Sequence, residues 1–214
     1  MKEKIDINTW LRKDHFNFFN TFEEPFFGVT VDVDCTLTYQ EAKDNNESFF
    51  LLYLHKAILA ANRIAPFRYR IIENEVWVYD EIHVSTTVGR LNGTFGFGYI
   101  NFKEDFDGFK AGAELEIDQV KAANGLILNP RVDLIHFSAL PWLDFKSMSH
   151  ARSYAYKDSC PKISFGKCRN VEGKKMMCIS IHVNHALMDG YHVSQFVEEY
   201  QKLLNQKNME LISA

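Results

Sequence analysis

No two cysteines stand at the spacing that closes a zinc knuckle or a thioredoxin-type redox turn. Cys35, Cys160, Cys168 and Cys178 are scattered, which points to reduced, mostly buried thiols. Positive charge is not in excess. The 24 Lys plus Arg against 28 Asp plus Glu give a formal net charge of -4, and no long basic run could track phosphates, so nucleic acid is disfavoured as a partner. Nowhere do about eighteen apolar residues follow one another, as a membrane span requires. The N-terminal MKEKIDINTWLRKDHF lacks the apolar core of about seven to fifteen residues that marks a signal peptide. These absences predict a soluble, cytoplasmic chain with no membrane partner. There is also no Pro/Gly/Ser-rich linker and no internal repeat, so residues 1–214 read as a single domain.

What is present is apolar material for a large core: 46% hydrophobic residues, with 14% aromatic, over 214 positions. Asn8 or Thr9 can cap a short helix carrying Trp10, Phe16 and Phe19. VTVDVDCTLT, from Val29 to Thr38, has the two-residue period of a strand with one wet face. SFFLLYLHKAILAANRIAPF is apolar nearly all round except at His55, Lys56, Asn62 and Arg63. This is the pattern of a helix buried against a sheet and ended by Pro66. YRIIENEVWVYDEIHVSTTV and NGTFGFGYINF read as successive strands, with Phe95 and Phe97 on one face. EDFDGFKAGAELEIDQVKAANG is an amphipathic helix closed by Gly125. VDLIHFSAL, KISFGKC and MMCISIHVN are β-rich, and GYHVSQFVEEYQKLLNQ is a C-terminal helix. The expected fold class is α/β, a mixed β-sheet flanked by helices.

ISIHVNHALMDGYHV holds three of the eight histidines. His182 and His185 are three apart, and on a strand that spacing sends them to opposite faces. A helical HExxH metal motif needs both on one face, so no metal is expected. Packing accounts for His182 on a strand and His192 on a helix. His185 differs, because it sits where the strand ends, ahead of the Asp189-Gly190 turn, and can project from a rigid element into a cleft. Asp189 can hold a cation or cap the following helix. An imidazole with an ordinary pKa of about 6.5 can accept a proton at neutral pH, which supports a general base without naming a reaction.

HALMDGYHV resembles the HxxxDG signature of the chloramphenicol acetyltransferase family, whose fold is shared with the acyltransferase cores of 2-oxo acid dehydrogenase complexes. TWLRKDHFNFF, AILAANRIAPFRYRI, FSALPWLDF and CPKISFGK resemble further family segments in the same order, from about Asp6 to about Asn205. The resemblance implies direct acetyl transfer from acetyl-CoA to a hydroxyl of a small molecule such as chloramphenicol, an antibiotic-resistance activity, with no acyl-enzyme. It implies that His185 Nε2 removes the acceptor's proton and that Ser138, in the SAxPW segment, donates to the oxyanion. Ser138 alone would read as a small strand residue before a Leu-Pro turn. The resemblance also pairs Arg12 with Asp189; without it Arg12 is an ordinary solvated helix residue. It implies a homotrimer with active sites at subunit interfaces, His185 coming from one subunit and Ser138 from its neighbour.

The chain departs from the family pattern at two single positions and in one stretch. Asn184 stands where a second histidine usually precedes the base. Ser164 stands where a threonine holds a water, and it keeps the hydroxyl. Acceptor positions after the first helix fall on Phe22, Glu23, Glu24 and Pro25. Around the acceptor we expect Phe19, Phe95, Phe97, His136, Ile163 and Phe165, since aromatic and aliphatic walls with a few polar groups suit a drug-sized alcohol. An acyltransferase with another acceptor and a non-catalytic binding protein are the alternatives.

Overall fold

The computed structural model describes residues 1–155 and 157–208. The chain opens with a short strand that the sequence pattern did not announce, β1 (Lys2–Lys4). Helix α1 (Lys13–Phe19) starts later than Asn8 or Thr9 would set it. Those two residues instead fold a turn over Asp6, whose carboxylate accepts from Asn8 N at 2.9 Å. Strand β2 (Phe26–Asp34) carries the Val29/Val31/Val33 alternation but stops short of Thr38. Asp34 Oδ1 accepts from Thr36 N (3.0 Å), a side-chain-closed turn that competes with the strand ladder. Helix α2 (Thr36–Asp44) follows from it.

Helix α3 (Phe49–Arg63) is capped by Ser48, whose hydroxyl accepts from Leu51 N, and it is buried along nearly its whole length. Of the four polar exceptions on it, His55 and Lys56 are inside as well, while Asn62 is half-buried and Arg63 exposed. Lys56 Nζ donates to Glu41 Oε2 (3.0 Å), Thr38 Oγ1 (3.0 Å) and Gln206 O (2.7 Å), tying α2, α3 and the chain end together. Strands β3 (Tyr69–Ile72), β4 (Glu75–Tyr79), β5 (His83–Gly89) and β6 (Phe95–Ile100) come next. Helix α4 (Phe106–Ala122) is capped by Asp105 and ends before Gly125, which lies in the following turn with φ +78. Strands β7 (Leu134–Ala139), β8 (Lys162–Val171) and β9 (Lys174–Asn184) lead to helix α5 (Gly190–Leu204).

The strands form two sheets, a small one ordered β1-β4-β3 and a six-stranded one ordered β2-β9-β8-β7-β5-β6. The larger is mixed: β7 runs parallel to β5 and to β8, while β2/β9, β8/β9 and β5/β6 are antiparallel. One face is the core. Val29, Val31, Ile179, Ile181, Ile163, Phe165, Ile135 and Phe137 point to α3 and α5. Phe165 packs there against Tyr53 and Phe137, with ring centroids 4.7 and 5.9 Å apart. Burying each such side chain contributes about 1.5–3 kcal/mol.

The other face is polar, and strand register orders it in two rows. Tyr99, Ser85, His136, Lys162 and His182 lie side by side, as do Ser138, Ser164, Ser180 and Thr30. The irregular chain after β7 lies against this face. Leu143 O accepts from Lys167 N (2.8 Å), and His150 meets His182 edge-on at 4.7 Å. Gly28 ends the first row because the His182 ring lies over it; a Cβ there would sit 2.3 Å from Nε2. All four cysteines are free, and Cys35, Cys160 and Cys178 are buried. Among the described residues no helix is long and apolar enough to cross a membrane.

Candidate active site

His185 follows directly on β9. Its N–H donates to Pro25 O (2.8 Å), beside the start of β2, and its own carbonyl accepts from Arg12 Nη2 (2.8 Å). The imidazole is stacked flat on Phe19, with centroids 3.9 Å apart and planes 12° from parallel, and Phe27 closes on it at 4.6 Å. Nδ1 lies 3.1 Å from Met188 O. A carbonyl oxygen can only accept, so Nδ1 carries the hydrogen and Nε2 keeps its lone pair. Ring packing and this one bond thus set both rotamer and tautomer.

The turn behind His185 is held from a distance in sequence. Arg12, at the N-cap position of α1, donates Nη1 to Asp189 Oδ2 (2.7 Å), Nη2 to His185 O, and Nε to Ala186 O (3.2 Å). Asp189 caps α5 by accepting from Tyr191 N (3.1 Å), and its Oδ1 is 2.9 Å from His192 Nδ1. Burial pushes the Asp189 carboxyl pKa up. The Arg12 hydrogen bond and the neighbouring charges of His192 and Arg12 outweigh that and hold it below the usual range.

Ser138 is on β7, on the polar face of the large sheet, at the floor of a cleft of about 670 Å³. Phe97 and Tyr99 of β6, Leu128, Pro130, His136 and His150 line the same cleft. Ser164, next to Ser138 in register, is fully buried, and its Oγ has no partner among the described residues, nor does His150 Nε2. Such unspent buried groups suit a water or a ligand oxygen. His136 is pushed down to about 4 by burial and by the charge of Lys162, and His150 to about 4 by burial and His182. Both imidazoles are therefore neutral near pH 7.

Several expected pocket residues lie elsewhere. Ile163 and Phe165 are on the core side of β8, 0% and 1% exposed, because alternate residues of a strand take opposite faces; of the run, only Ser164 faces Ser138. Phe95 is at the outer end of β6 in a separate surface hollow with Arg90 and Asn92, although its ring touches Phe97 at 5.6 Å. Phe19 and Pro25 belong to the His185 side, and Phe97 and His136 to the Ser138 side. His185 and Ser138 do not meet within one chain. Ser138 is two strands from β9 and His185 five residues past Ser180, so at about 4.8 Å per strand and about 3.3 Å per residue their Cα atoms are about 19 Å apart.

Phe27, His150, Lys162 and Tyr99 went unnoticed in the sequence. The signal for Lys162 was its two-residue spacing from Ser164. Among the described residues His136, Asp158 and Cys160 bring ligand atoms within 4.8 Å of one another, the spacing of a cation site. Lys162 already donates to Asp158, and Arg152 lies 3.4 Å from the same carboxylate. Two cations on one carboxylate oppose a third.

The sequence pattern of the family described as Chloramphenicol acetyltransferase matches residues 2–201. A chloramphenicol acetyltransferase of Campylobacter coli is 30% identical over 206 residues, covering 94% of this chain and 98% of its own. One from Bacillus pumilus is 27% identical over 207 residues, covering 95% and 94%. A solved chloramphenicol acetyltransferase structure superposes with a TM-score of 0.86 at 34% identity, over 95% of this chain and 100% of that one. The cubic core of a pyruvate dehydrogenase multienzyme complex shares the fold at 13% identity and a TM-score of 0.60, over 84% of this chain and 81% of that one. With a match over nearly its whole length, this chain belongs to the chloramphenicol acetyltransferase family.

Proposed function

We propose that the chain is an acetyl-CoA-dependent O-acetyltransferase that acetylates chloramphenicol or a similar small hydroxylated molecule, and so confers resistance to it. The observation that carries this is His185, whose Nδ1–H is committed to Met188 O while Nε2 has no hydrogen-bond partner among the described residues and can act as a base. His185 Nε2 takes the proton of the acceptor hydroxyl, whose oxygen attacks the thioester carbonyl. Ser138 Oγ donates to the carbonyl oxygen as it becomes negative, the stage at which a fixed donor is worth most. The imidazolium then returns the proton to the departing sulfur as the C–S bond breaks. The products are the acetyl ester and free CoA thiol, with no acyl-enzyme. Ser164 holds a water or acceptor oxygen beside Ser138, and Arg12 and Asp189 brace the turn that aims His185.

The separation of about 19 Å between His185 and Ser138 within a chain supports a site shared between two copies. We assign a homotrimer in which each interface joins His185, with Phe19 and Pro25, to the Ser138 cleft of a neighbour. Residues 1–214 act as one catalytic domain in the cytoplasm. No metal takes part in the steps assigned here. The test is release of free thiol from acetyl-CoA and chloramphenicol by purified protein, with His185→Ala lowering turnover by about 10²–10⁴ at unchanged Tm. Turnover by His185→Ala at the wild-type rate would refute the mechanism.

A further inference from the structure

We propose that Cys35 and Cys168 are a modification site, in which a hydroperoxide oxidises the half-buried Cys168 and the buried Cys35 resolves it to a disulfide within the chain. The two sulfurs are 3.7 Å apart although 133 positions separate them in sequence. Cys35 directly follows β2 and Cys168 lies toward the outer end of β8, so the pair reaches over β9, which runs between those strands. A disulfide there staples the junction of β2 and α2 to β8. Cys168 stands opposite Met177 in register, on the helix-covered side of the sheet, and it is half-buried while Cys35 is fully buried. The Ser138 cleft is on the other side of the sheet, so a neighbouring copy seated on that cleft does not cover Cys168.

The roles of the two thiols follow from their surroundings. Cys35 is fixed by Lys175 O, which accepts from its N–H (2.8 Å) and lies 3.2 Å from its sulfur. Its one thiol hydrogen turns to Cys168 once that sulfur is an anion, the stronger acceptor. That hydrogen bond, helped by the charge of Lys175, outweighs burial and brings the Cys168 thiol down to about 7. The same hydrogen bond and burial push the Cys35 thiol up, so Cys35 keeps its proton. The Cys168 thiolate attacks the outer oxygen of the hydroperoxide. An S–O bond forms as the O–O bond breaks, and the peroxide, reduced, takes a proton from solvent and leaves as water or an alcohol. Cys35 Sγ then attacks the sulfenic sulfur. The S–S bond forms as the S–O bond breaks, and the Cys35 proton departs with the hydroxyl group as water. Cys160 and Cys178 are buried and burial pushes both thiols up, so neither offers a thiolate near pH 7.

The test is peptide mass spectrometry on reduced full-length protein treated with a small molar excess of hydrogen peroxide, quenched with catalase and alkylated in denaturant. The chain should become two hydrogens lighter, with Cys35 and Cys168 joined in one peptide pair and Cys160 and Cys178 still alkylated. Its Tm should rise by about 5–15 °C because the crosslink closes a long loop, and a dithiol reductant should reverse both changes. Cys168→Ala should slow the first loss of thiol by about 10-fold, the advantage in thiolate that a pKa near 7 gives over an ordinary thiol at neutral pH. Cys35→Ala should leave Cys168 as a sulfenic acid that dimedone traps and that further peroxide carries to the sulfinic acid. Thiol loss spread over all four cysteines, crosslinks between chains in place of the internal one, or a Cys168→Ala variant that reacts at the wild-type rate would each overturn the assignment. A mapped crosslink without a rise in Tm would overturn the staple. The wild-type peptide map decides the matter even where a variant does not fold, and it does not depend on acetyl transfer.

Discussion

Replacing Arg12 by alanine removes three donors at once from the turn that carries His185, at 2.7, 2.8 and 3.2 Å. The Arg12 side chain is 11% exposed and the Asp189 side chain 35% exposed, so the pair lies between a surface and a buried ion pair. Breaking a buried pair costs about 3–5 kcal/mol and a surface pair about 0–1. Asp189 keeps Tyr191 N and His192, so we expect a loss of about 2–3 kcal/mol. Unfolding entropy of about 2.1 cal/mol/K per residue makes that a fall in Tm of about 4–7 °C. The larger effect is on chemistry. Arg12 holds the carbonyl of His185 itself, and a shift of about 1 Å in a catalytic group costs on the order of 10²-fold. Thiol-release kinetics and calorimetry on Arg12→Ala, Asp189→Asn and the double variant measure both quantities. Coupling should appear, with the double variant little worse than the worse single one. If Arg12→Ala keeps kcat/KM within threefold of wild type and loses no Tm, the bracing of His185 by this pair is wrong.

Ser138→Ala should lower kcat by about 10²–10³ with little change in acetyl-CoA KM, read by the same thiol assay; an effect on KM alone would reassign Ser138 to ground-state binding. If sites are shared between copies, unfolding and refolding His185→Ala together with Ser138→Ala should regenerate up to about a quarter of wild-type sites, because some interfaces then join two intact residues. Sites contained in one chain would give none. For Asp158, burial pushes the carboxyl pKa up, but the charge and hydrogen bond of Lys162 and the N–H of Cys160 bring it below its ordinary value. A pKa lower in the folded than in the unfolded chain means stability that is present above about 3.9 and lost as pH falls through the folded value. Asp158→Asn should accordingly be less stable than wild type at neutral pH, with the gap in denaturant midpoint narrowing below pH 4; a constant gap from pH 7 to pH 3 would show that the carboxylate charge is not what matters.

Much of the fold was legible because local patterning and tertiary need agree. Val29, Val31 and Val33 alternate because one face of β2 meets the core, and α3 is apolar all round because it is buried nearly all round. The pattern misled where a side chain competes with the backbone ladder. Thr36–Asp44 begins with β-favouring residues, yet the Asp34 carboxylate closes a turn on Thr36 and the chain becomes helical. It also misleads at Ile163 and Phe165, which flank Ser164 in sequence but do not share its face. A strand sends neighbours to opposite faces, and the sheet's helix-covered side took the two apolar ones.

By itself the sequence determined which chemistry is available: a histidine at a strand end, an aspartate before a helix, a serine ahead of a Leu-Pro turn, and little charge to recruit nucleic acid. These depend on residue type and short spacing, which a linear text carries. The Arg12 to Asp189 pair, 177 positions apart, was implied by the family resemblance, and the tertiary structure added its geometry and the two further donations of Arg12 to His185 O and Ala186 O. Only the tertiary structure decided that Phe19 stacks on His185, that Met188 O selects its tautomer, and that His136 lies beside Ser85 and Lys162. Those are facts of strand order and register, set when the apolar faces close on one another, and no local window of the chain contains them.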